Sequence, residues 1–263
     1  MRESLNWEND VKKISPCVVK IETPDHHGTG FFLQKTKDGE TVIATARHVL
    51  EQADKWQQPI RVYDSTCSNF SLIRDCDRVV FLETLQGADS SFMIISRDVE
   101  LKFPQQPLPF SPVISTIPIG ASVGWVGFPG LAANNLCFFS GAISSRLPPG
   151  KFPCYLIDGV AIGGVSGGPI FYRDSKGLKV IGVISAYITG KTGDEAVPGL
   201  AVAEDIRTIQ TTIDHLYEWT EQERLNNRLR VGEHYIDIAQ PNNWECLWGN
   251  LKRAQKALNA SPT

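Results

Sequence analysis

Apolar residues along most of this chain alternate with polar ones or form short runs, and glycine or proline separates most of these runs. The runs at 17–22 and 41–45 are rich in β-branched side chains, which is typical of strands. Similar runs recur at 28–33, 60–63, 77–84, 91–96, 122–128, 138–144, 154–157, 169–172 and 180–188. No amphipathic helical stretch separates these runs, which argues against a parallel α/β sheet. The pattern therefore predicts antiparallel strands arranged as two barrels or sandwiches.

A proline-rich stretch divides this strand pattern into two parts. Residues 101–112 contain four prolines and have the composition of a linker. We predict a polar lead-in with a helical tendency at 1–14 and a first barrel at 15–100. A second barrel at 113–203 follows the linker, and a helical extension at 204–263 follows the second barrel.

Helical periodicity is confined to the C-terminal part of the sequence. One apolar stripe has a spacing of three or four residues and comprises Ile206, Ile209, Ile213, Leu216 and Trp219. A second stripe comprises Trp244, Leu247, Trp248, Leu251, Ala254 and Leu258. Two tryptophans on one stripe bury a large area when they dock. This second helix either packs against its own barrel or forms a docking or oligomer surface, through which an activating protein partner would bind.

Composition and charge exclude several classes of function. The chain has 263 residues, of which 42% are hydrophobic and 21% charged, as in ordinary globular proteins. A net charge of −3 offers no general attraction to nucleic acid or to an anionic membrane. No apolar run approaches the ~20 residues that span a bilayer. Residues 1–10 carry acids where a signal peptide needs an apolar stretch, so we expect a cytoplasmic protein without nucleic-acid or membrane partners.

The cysteines are widely scattered and form no Cys-x-x-Cys pair. They are Cys17, Cys67, Cys76, Cys137, Cys154 and Cys246. In a reducing compartment they are interpreted as small core hydrophobes, and a disulfide framework is the alternative.

Two polar clusters have ordinary interpretations. His26 and His27 are adjacent, but no further ligands follow at metal-site spacing, so we predict a polar loop and no metal. Arg224, Arg228 and Arg230 follow two glutamates, which favours a solvated helix face over a nucleic-acid patch.

The sequence Gly-Val-Ser-Gly-Gly-Pro at 164–169 carries the strongest chemical signal. Glycines around Ser166 allow a sharp turn that exposes its hydroxyl, and they leave backbone N–H groups uncovered to face a developing oxyanion. A serine nucleophile needs a base, and His48 lies far upstream in Thr-Ala-Arg-His-Val. The order histidine, acid, serine is that of the chymotrypsin-type triad.

Seven motifs in chain order resemble the trypsin-like, chymotrypsin-fold serine peptidases, and most of all the protease domain of bacterial heat-shock serine proteases. They start at Gly28, Thr45, Ala88, Val126, Gly141, Gly164 and Gly199 and read GTGF, TARHV, ADSSFMII, VGFP, GAISS, GVSGGP and GLAV. The resemblance covers about residues 15–206 and implies an all-β chain with two antiparallel six-stranded barrels and C-terminal helices. It implies a serine endopeptidase with a protein or peptide substrate and no cofactor. The residues after the second barrel are too few for a PDZ domain.

The same resemblance assigns the catalytic roles. Ser166 would be the nucleophile, His48 the general base, and Asp89 the acid that orients His48 and stabilises its imidazolium form. The N–H groups of Gly164 and Ser166 would form the oxyanion hole.

Departures from the family pattern leave some assignments open. Asp89 precedes a strand, but Ser90 and Ser91 stand where the family has aliphatic residues, so Asp75 and Asp77 are alternative acids. Arg47 places a cation beside the base. These departures motivate an alternative function, a catalytically inert trypsin-like module that binds peptides or partners.

Two valines replace residues of the secreted enzymes. Val49 stands where those enzymes often have a disulfide cysteine, which agrees with a reducing compartment. Val165 stands where they have the aspartate that binds the new N-terminus, so we expect no zymogen switch of that kind.

Substrate preference follows from the residues that the resemblance places around the S1 pocket. These are Val160, Ala161, Ile162, Ser185 and Tyr187. They include no acid at the pocket base, which predicts a small or medium apolar P1 side chain. Asp158 lies two residues before Val160 and would allow a basic P1 side chain if it reached the pocket.

Overall fold

The computed structural model of this chain describes residues 7–36, 39–82, 88–101, 117–132, 134–147, 154–175, 177–189, 196–217, 228–231, 234–237 and 252. Of the predicted linker at 101–112 it describes only Leu101, and of the stripe at 244–258 only Lys252.

The first half of the chain forms one antiparallel sheet. Its seven strands are β1 (Val18–Glu22), β2 (His27–Lys35), β3 (Thr41–Ala46), β4 (Ile60–Tyr63), β5 (Phe70–Ile73), β6 (Arg78–Phe81) and β7 (Ser90–Ile95). They lie in the order β5-β4-β1-β2-β3-β7-β6, so β5 and β6 are the edge strands. Strands β3 and β7 are buried along their whole length, so both of their faces are covered.

The second half forms a closed barrel. Its six strands are β8 (Ser122–Gly127), β9 (Cys137–Leu147), β10 (Cys154–Asp158), β11 (Pro169–Asp174), β12 (Gly177–Thr189) and β13 (Ala196–Asp205). They close in the order β10-β13-β12-β11-β8-β9, and all pairs are antiparallel. This mostly β architecture confirms the predicted fold class.

The predicted strand runs include neither β13 nor β5, and β5 brings the first sheet to seven strands. Its residues alternate between exposed and buried, but the exposed positions hold Phe70 and Leu72 and a buried one holds Ser71. Because Ile73 is buried as well, apolar side chains lie on both faces of this strand, and the usual alternation of apolar and polar residues is absent.

A buried arginine connects the two edges of the first sheet. Arg78 of β6 is fully buried, and its Nη1 donates to the carbonyl of Ile73 in β5 at 3.1 Å. Its Nη2 donates to the carbonyls of Ala53 at 3.1 Å and Gln58 at 2.8 Å. One guanidinium thus joins strands that share no ladder, because its planar fork offers several donors at once.

Three α-helices accompany the strands in the described residues. They are α1 (Trp7–Ile14), α2 (Arg47–Lys55) and α3 (Arg207–Tyr217). In α1, Ile14 enters the core and the buried Asp10 forms an ion pair with Arg173 of β11, so the lead-in packs onto the barrel. Helix α2 lies outside the C-terminal part of the sequence, and its Val49, Leu50 and Ala53 form one buried face.

The region after α3 differs from the prediction. Strands β14 (Arg228–Val231) and β15 (His234–Asp237) form a hairpin, so the helical interpretation of Arg228 and Arg230 was wrong. Arg224 and the tryptophan stripe lie outside the described residues. Lys252 donates from Nζ to the carbonyl of Asp75 at 2.8 Å, which places this point of the C-terminal segment against the first sheet.

The cysteines fit the prediction only in part. All five that the structure describes are free thiols. Cys17 is buried as expected, whereas Cys76 is exposed, so the core interpretation was wrong for Cys76. Cys67, Cys137 and Cys154 are half-buried, and Cys246 lies outside the described residues.

Two apolar cores place the functional residues at the junction of sheet and barrel. The barrel interior forms its own cluster, which includes Trp125 and Tyr155. The core of the first sheet continues into the barrel through Phe128 and Phe171 and into α3 through Ile209. No helix among the described residues is long and apolar enough to cross a bilayer.

Candidate active site

His48 lies in the first turn of α2, directly after β3. The first N–H groups of a helix have no partner within it. Here Asp89 supplies both acceptors: its carbonyl accepts from Arg47 N at 3.0 Å, and its Oδ1 accepts from His48 N at 3.1 Å. Asp89 therefore caps α2 from a neighbouring segment and fixes the backbone that carries His48.

The same carboxylate also holds the imidazole. Asp89 Oδ2 lies 2.8 Å from His48 Nδ1, and Ser185 Oγ donates to that oxygen at 2.5 Å. Burial raises the pKa of Asp89, but the hydrogen bonds from His48 and Ser185 outweigh burial and hold the pKa below its ordinary value. The His48 side chain is 43% exposed, so its other face is accessible.

The alternative acids lie elsewhere. Asp77 is paired with Arg74 at 2.8 Å, and Asp75 is 3.9 Å from Arg78. The structure thus brings Asp89 to His48 and leaves Asp75 and Asp77 with arginine partners.

The residues that depart from the family pattern have structural partners. Ser90 Oγ lies 3.2 Å from the hydroxyl of Thr208 in α3, and Ser91 Oγ donates to a carbonyl of β3 at 3.4 Å. Both serines are fully buried, and these contacts satisfy their hydroxyls. Arg47 pairs with Glu51 at 2.9 Å, one turn along α2.

The loop that carries Ser166 has a backbone that only glycine accommodates. Gly164 and Gly167 have φ angles of +95° and +89°, in the left-handed region. A Cβ on Gly167 would clash with Thr29 O and Thr45 Oγ1 of the first sheet. The motif therefore lets the barrel loop approach β2 and β3 closely.

Thr29 of β2 anchors this loop from the first sheet. Its N–H donates to Ser166 O at 2.8 Å, and its hydroxyl donates to Gly164 O at 2.8 Å. The same hydroxyl accepts from Phe128 N at 3.0 Å. One fully buried side chain thus connects the loop to both halves of the molecule.

The amides of the loop fall into two groups. Those of Val165, Gly167 and Gly168 donate to backbone carbonyls at 2.6 to 3.0 Å. Those of Gly164 and Ser166 have no acceptor anywhere in the part of the chain that the structure describes. Free N–H groups on both sides of a serine hydroxyl are the arrangement that stabilises an oxyanion.

The Ser166 hydroxyl itself makes no hydrogen bond to any described residue, His48 included. Its residue is 6% exposed. Catalytic hydrogen bonds are often long in the absence of substrate and shorten when it binds. The serine is therefore in place beside the first sheet but is not yet coupled to the base.

Of the residues assigned to the S1 pocket, Val160, Ala161 and Ile162 lie in the loop after β10, whereas Ser185 and Tyr187 lie in β12. Val160 is 51% exposed, and Ala161 and Ile162 are half-buried. Asp158 is also exposed. Tyr187 pairs through its backbone with Ala201 of β13, and its side chain lies outside the described residues.

Sequence reasoning missed two polar residues near the site. Glu204 of β13 is buried behind Asp89, and His27 lies beside the loop, where a Cβ on Gly164 would be 2.8 Å from its Nε2. Single charged or aromatic residues at strand ends give no signal of such neighbours. No three His, Cys, Asp or Glu side chains of the described residues lie close enough together to hold a metal ion.

Several solved structures have a similar fold. The active form of the Rv3671c protease from M. tuberculosis is 21% identical, with a TM-score of 0.57 over 80% of this chain and 85% of that chain. The serine endoprotease from Yersinia pestis is 18% identical, with a TM-score of 0.56 over 81% and 67%. Deg5 is 22% identical, with a TM-score of 0.56 over 82% and 97%. Such low identities show the fold alone.

The sequence itself establishes the family. No curated protein matches it. The trypsin-like peptidase domain matches residues 28–183, a range that includes His48, Asp89 and Ser166 and more than half of the chain. The chain therefore belongs to the trypsin-like peptidase family of serine proteases.

Proposed function

We propose that this protein is a serine endopeptidase that cleaves peptide bonds through an acyl-enzyme on Ser166. The observation that carries the proposal is the His48–Asp89 pair at 2.8 Å beside a loop whose Gly164 and Ser166 amides have no acceptor among the described residues. The pair supplies a base, and the amides supply donors for the tetrahedral intermediate.

The chemistry follows the triad pattern. Ser166 Oγ attacks the scissile carbonyl carbon while His48 takes the hydroxyl proton, and Asp89 stabilises the imidazolium that results. The oxyanion accepts from Gly164 N and Ser166 N. His48 then protonates the leaving amine, which leaves an ester on Ser166. Water activated by His48 hydrolyses that ester and restores the enzyme.

A small or medium apolar P1 side chain suits the residues that line the predicted pocket. Val160, Ala161 and Ile162 offer apolar surface, and no carboxylate is among them. Holding a basic side chain in a buried pocket requires a paired carboxylate. Asp158 is exposed at the end of β10, which supports an apolar preference over a basic one.

The hydrogen bonds of the loop favour a site that is formed in the chain alone. Gly163 O accepts from Gly130 N at 2.8 Å, and Val165 N donates to Ile162 O at 3.0 Å, which fixes the peptides on both sides of Gly164. Activation by a protein bound at the 244–258 stripe is the alternative, and in that case the isolated chain would be inactive.

An inert binding module is the second candidate function. The absent hydrogen bond between Ser166 Oγ and His48 favours it, because an uncoupled serine is a poor nucleophile. Such a module would bind peptides at the same cleft without turnover.

Hydrolysis of a peptide panel tests these alternatives. The panel varies only P1, with Ala, Val, Leu, Lys and Asp, and the enzyme variants are Ser166→Ala and the exposed-serine control Ser140→Ala. We expect cleavage after Ala or Val, unchanged rates in Ser140→Ala, and a loss of about 10⁶-fold in Ser166→Ala. Peptide binding without cleavage by the wild type would support the inert module instead.

A further inference from the structure

A second carboxyl group lies behind the acid of the proposed triad. Glu204 is 7% exposed and sits in β13 between Cys154 of β10 and Val183 of β12. Its Oε1 accepts from Asp89 N at 3.5 Å. Its Oε2 is buried and has no partner among the described residues.

No cation pairs with this group within the described chain. The ionisable groups that face it are Asp89 from the segment before β7, the Cys154 thiol from β10, and Asp205, its neighbour in β13. The cations Arg207 and Arg146 pair with the neighbouring Asp205. Burial raises the pKa of Glu204 to about 7, and the charges on Asp89 and Asp205 add to this, whereas the amide of Asp89 opposes it.

We propose that Glu204 is a positioning residue that acts through Asp89 on His48 and sets the pH range in which the imidazole is neutral. When ionised, Glu204 adds a second negative charge behind the Asp89–His48 pair and favours the imidazolium. When Glu204 is protonated, this charge is absent and no longer favours the imidazolium form of His48. The consequence for catalysis rests on the proposed function, whereas the effect on His48 does not.

The raised pKa of Glu204 makes the stability of the folded state depend on pH. An unfolded glutamate has a pKa of about 4.3, and the folded value is about 7. The folded state therefore holds the proton more tightly, and its stability falls as the pH rises between these two values. Above pH 8 the cost of the buried charge is fully present.

An NMR titration of His48 tests the proposal without any substrate. The chain has five histidines, so His48→Gln assigns the signal. In Glu204→Gln we expect the midpoint of the His48 titration to move to lower pH than in wild type, because one negative charge behind Asp89 is removed. The control Asp98→Asn removes one exposed charge and should leave it unchanged. An equal pKa of His48 in wild type and Glu204→Gln would overturn the proposal.

Two further measurements keep the test independent of folding and of the proposed function. Glu204→Gln should melt higher than wild type at pH 8 and equally at pH 4, and Glu204→Met serves if Glu204→Gln does not fold. In Glu204→Gln, the rate of inactivation by a fluorophosphonate should begin to fall at a lower pH than in wild type, by the same amount as the His48 titration moves. If His48 shifts but wild type is not inactivated, the positioning role stands and the endopeptidase proposal fails.

Discussion

The first sheet and the barrel contribute to the candidate site in opposite ways. The first sheet supplies side chains, since Asp89 caps α2 with its carbonyl and Oδ1 and holds the His48 ring with Oδ2. The barrel supplies the nucleophile Ser166 on a glycine loop whose Gly164 and Ser166 amides have no acceptor among the described residues. The first sheet therefore provides the base and its acid, whereas the barrel provides the nucleophile, backbone dipoles whose charge does not change with pH, and the buried Glu204 behind the acid.

Few contacts connect these two contributions. Thr29 of β2 bonds to Ser166 O and Gly164 O, and Ser185 of β12 bonds to Asp89. Each contact crosses the junction from a regular strand to a site residue. The roles of the first sheet and the barrel can thus be tested on either half separately or at their junction.

The largest effect should come from the backbone of the barrel loop. Gly164→Ala places a Cβ against Phe128 O at a φ of +95°, so the loop must move and the oxyanion donors are lost. We expect kcat to fall by about 10²- to 10³-fold, as for the loss of an oxyanion donor. Gly163→Ala is the matched control, because nothing lies within 4 Å of its Cβ.

Peptide hydrolysis rates with thermal melts would measure this effect. A Gly164→Ala enzyme that keeps full activity would contradict the role of the loop, and an equal loss in Gly163→Ala would show that any change in the loop is harmful.

On the first sheet, the corresponding test concerns stability. Arg78→Met removes the buried guanidinium donors from the carbonyls of Ile73, Ala53 and Gln58, and of these Ala53 O keeps the Gln58 amide as a donor. We expect the free energy of unfolding to drop by about 3 kcal/mol, measured by urea denaturation. Arg74→Met is the control, because Arg74 is exposed and, within the described residues, its side chain bonds to Asp77 alone. Equal denaturation midpoints for the two variants would mean that the buried Arg78 guanidinium contributes little to stability.

The smallest effect is predicted at the junction. Thr29→Val keeps the shape of the side chain but leaves Gly164 O and Phe128 N without a partner. Thr29→Ser keeps the hydroxyl. We expect a loss of about 1–3 kcal/mol of stability in the valine variant, a several-fold lower kcat, and little change in the serine variant. If both variants behave alike, the hydroxyl does not position the loop.

Much of the fold and of the site could be predicted from local sequence patterns. The glycines at 164 and 167 are recognisable because left-handed φ angles and close backbone approach both demand glycine. The alternation of apolar and polar residues identified most strands, because it is also a local property of the sequence. Where one face of a strand inverts its polarity, as at Phe70 and Leu72, the signal disappears.

Contacts between residues that are distant in sequence could not be predicted from local patterns. Ser90 and Ser91 looked like departures from the family until Thr208, 118 residues from Ser90, proved to be a partner. The positions of Glu204 and Arg78 show only a charged residue at a strand end. Their burial beside Asp89 and between the sheet edges depends on tertiary packing alone.

The most direct test of the account is the intact mass of the protein after incubation with a fluorophosphonate. We predict one covalent adduct on wild type that peptide mapping assigns to Ser166, and none on Ser166→Ala or His48→Ala. Ser140→Ala should be labelled like wild type. No adduct on the wild-type chain, although it is folded, would contradict a formed nucleophile and oxyanion hole.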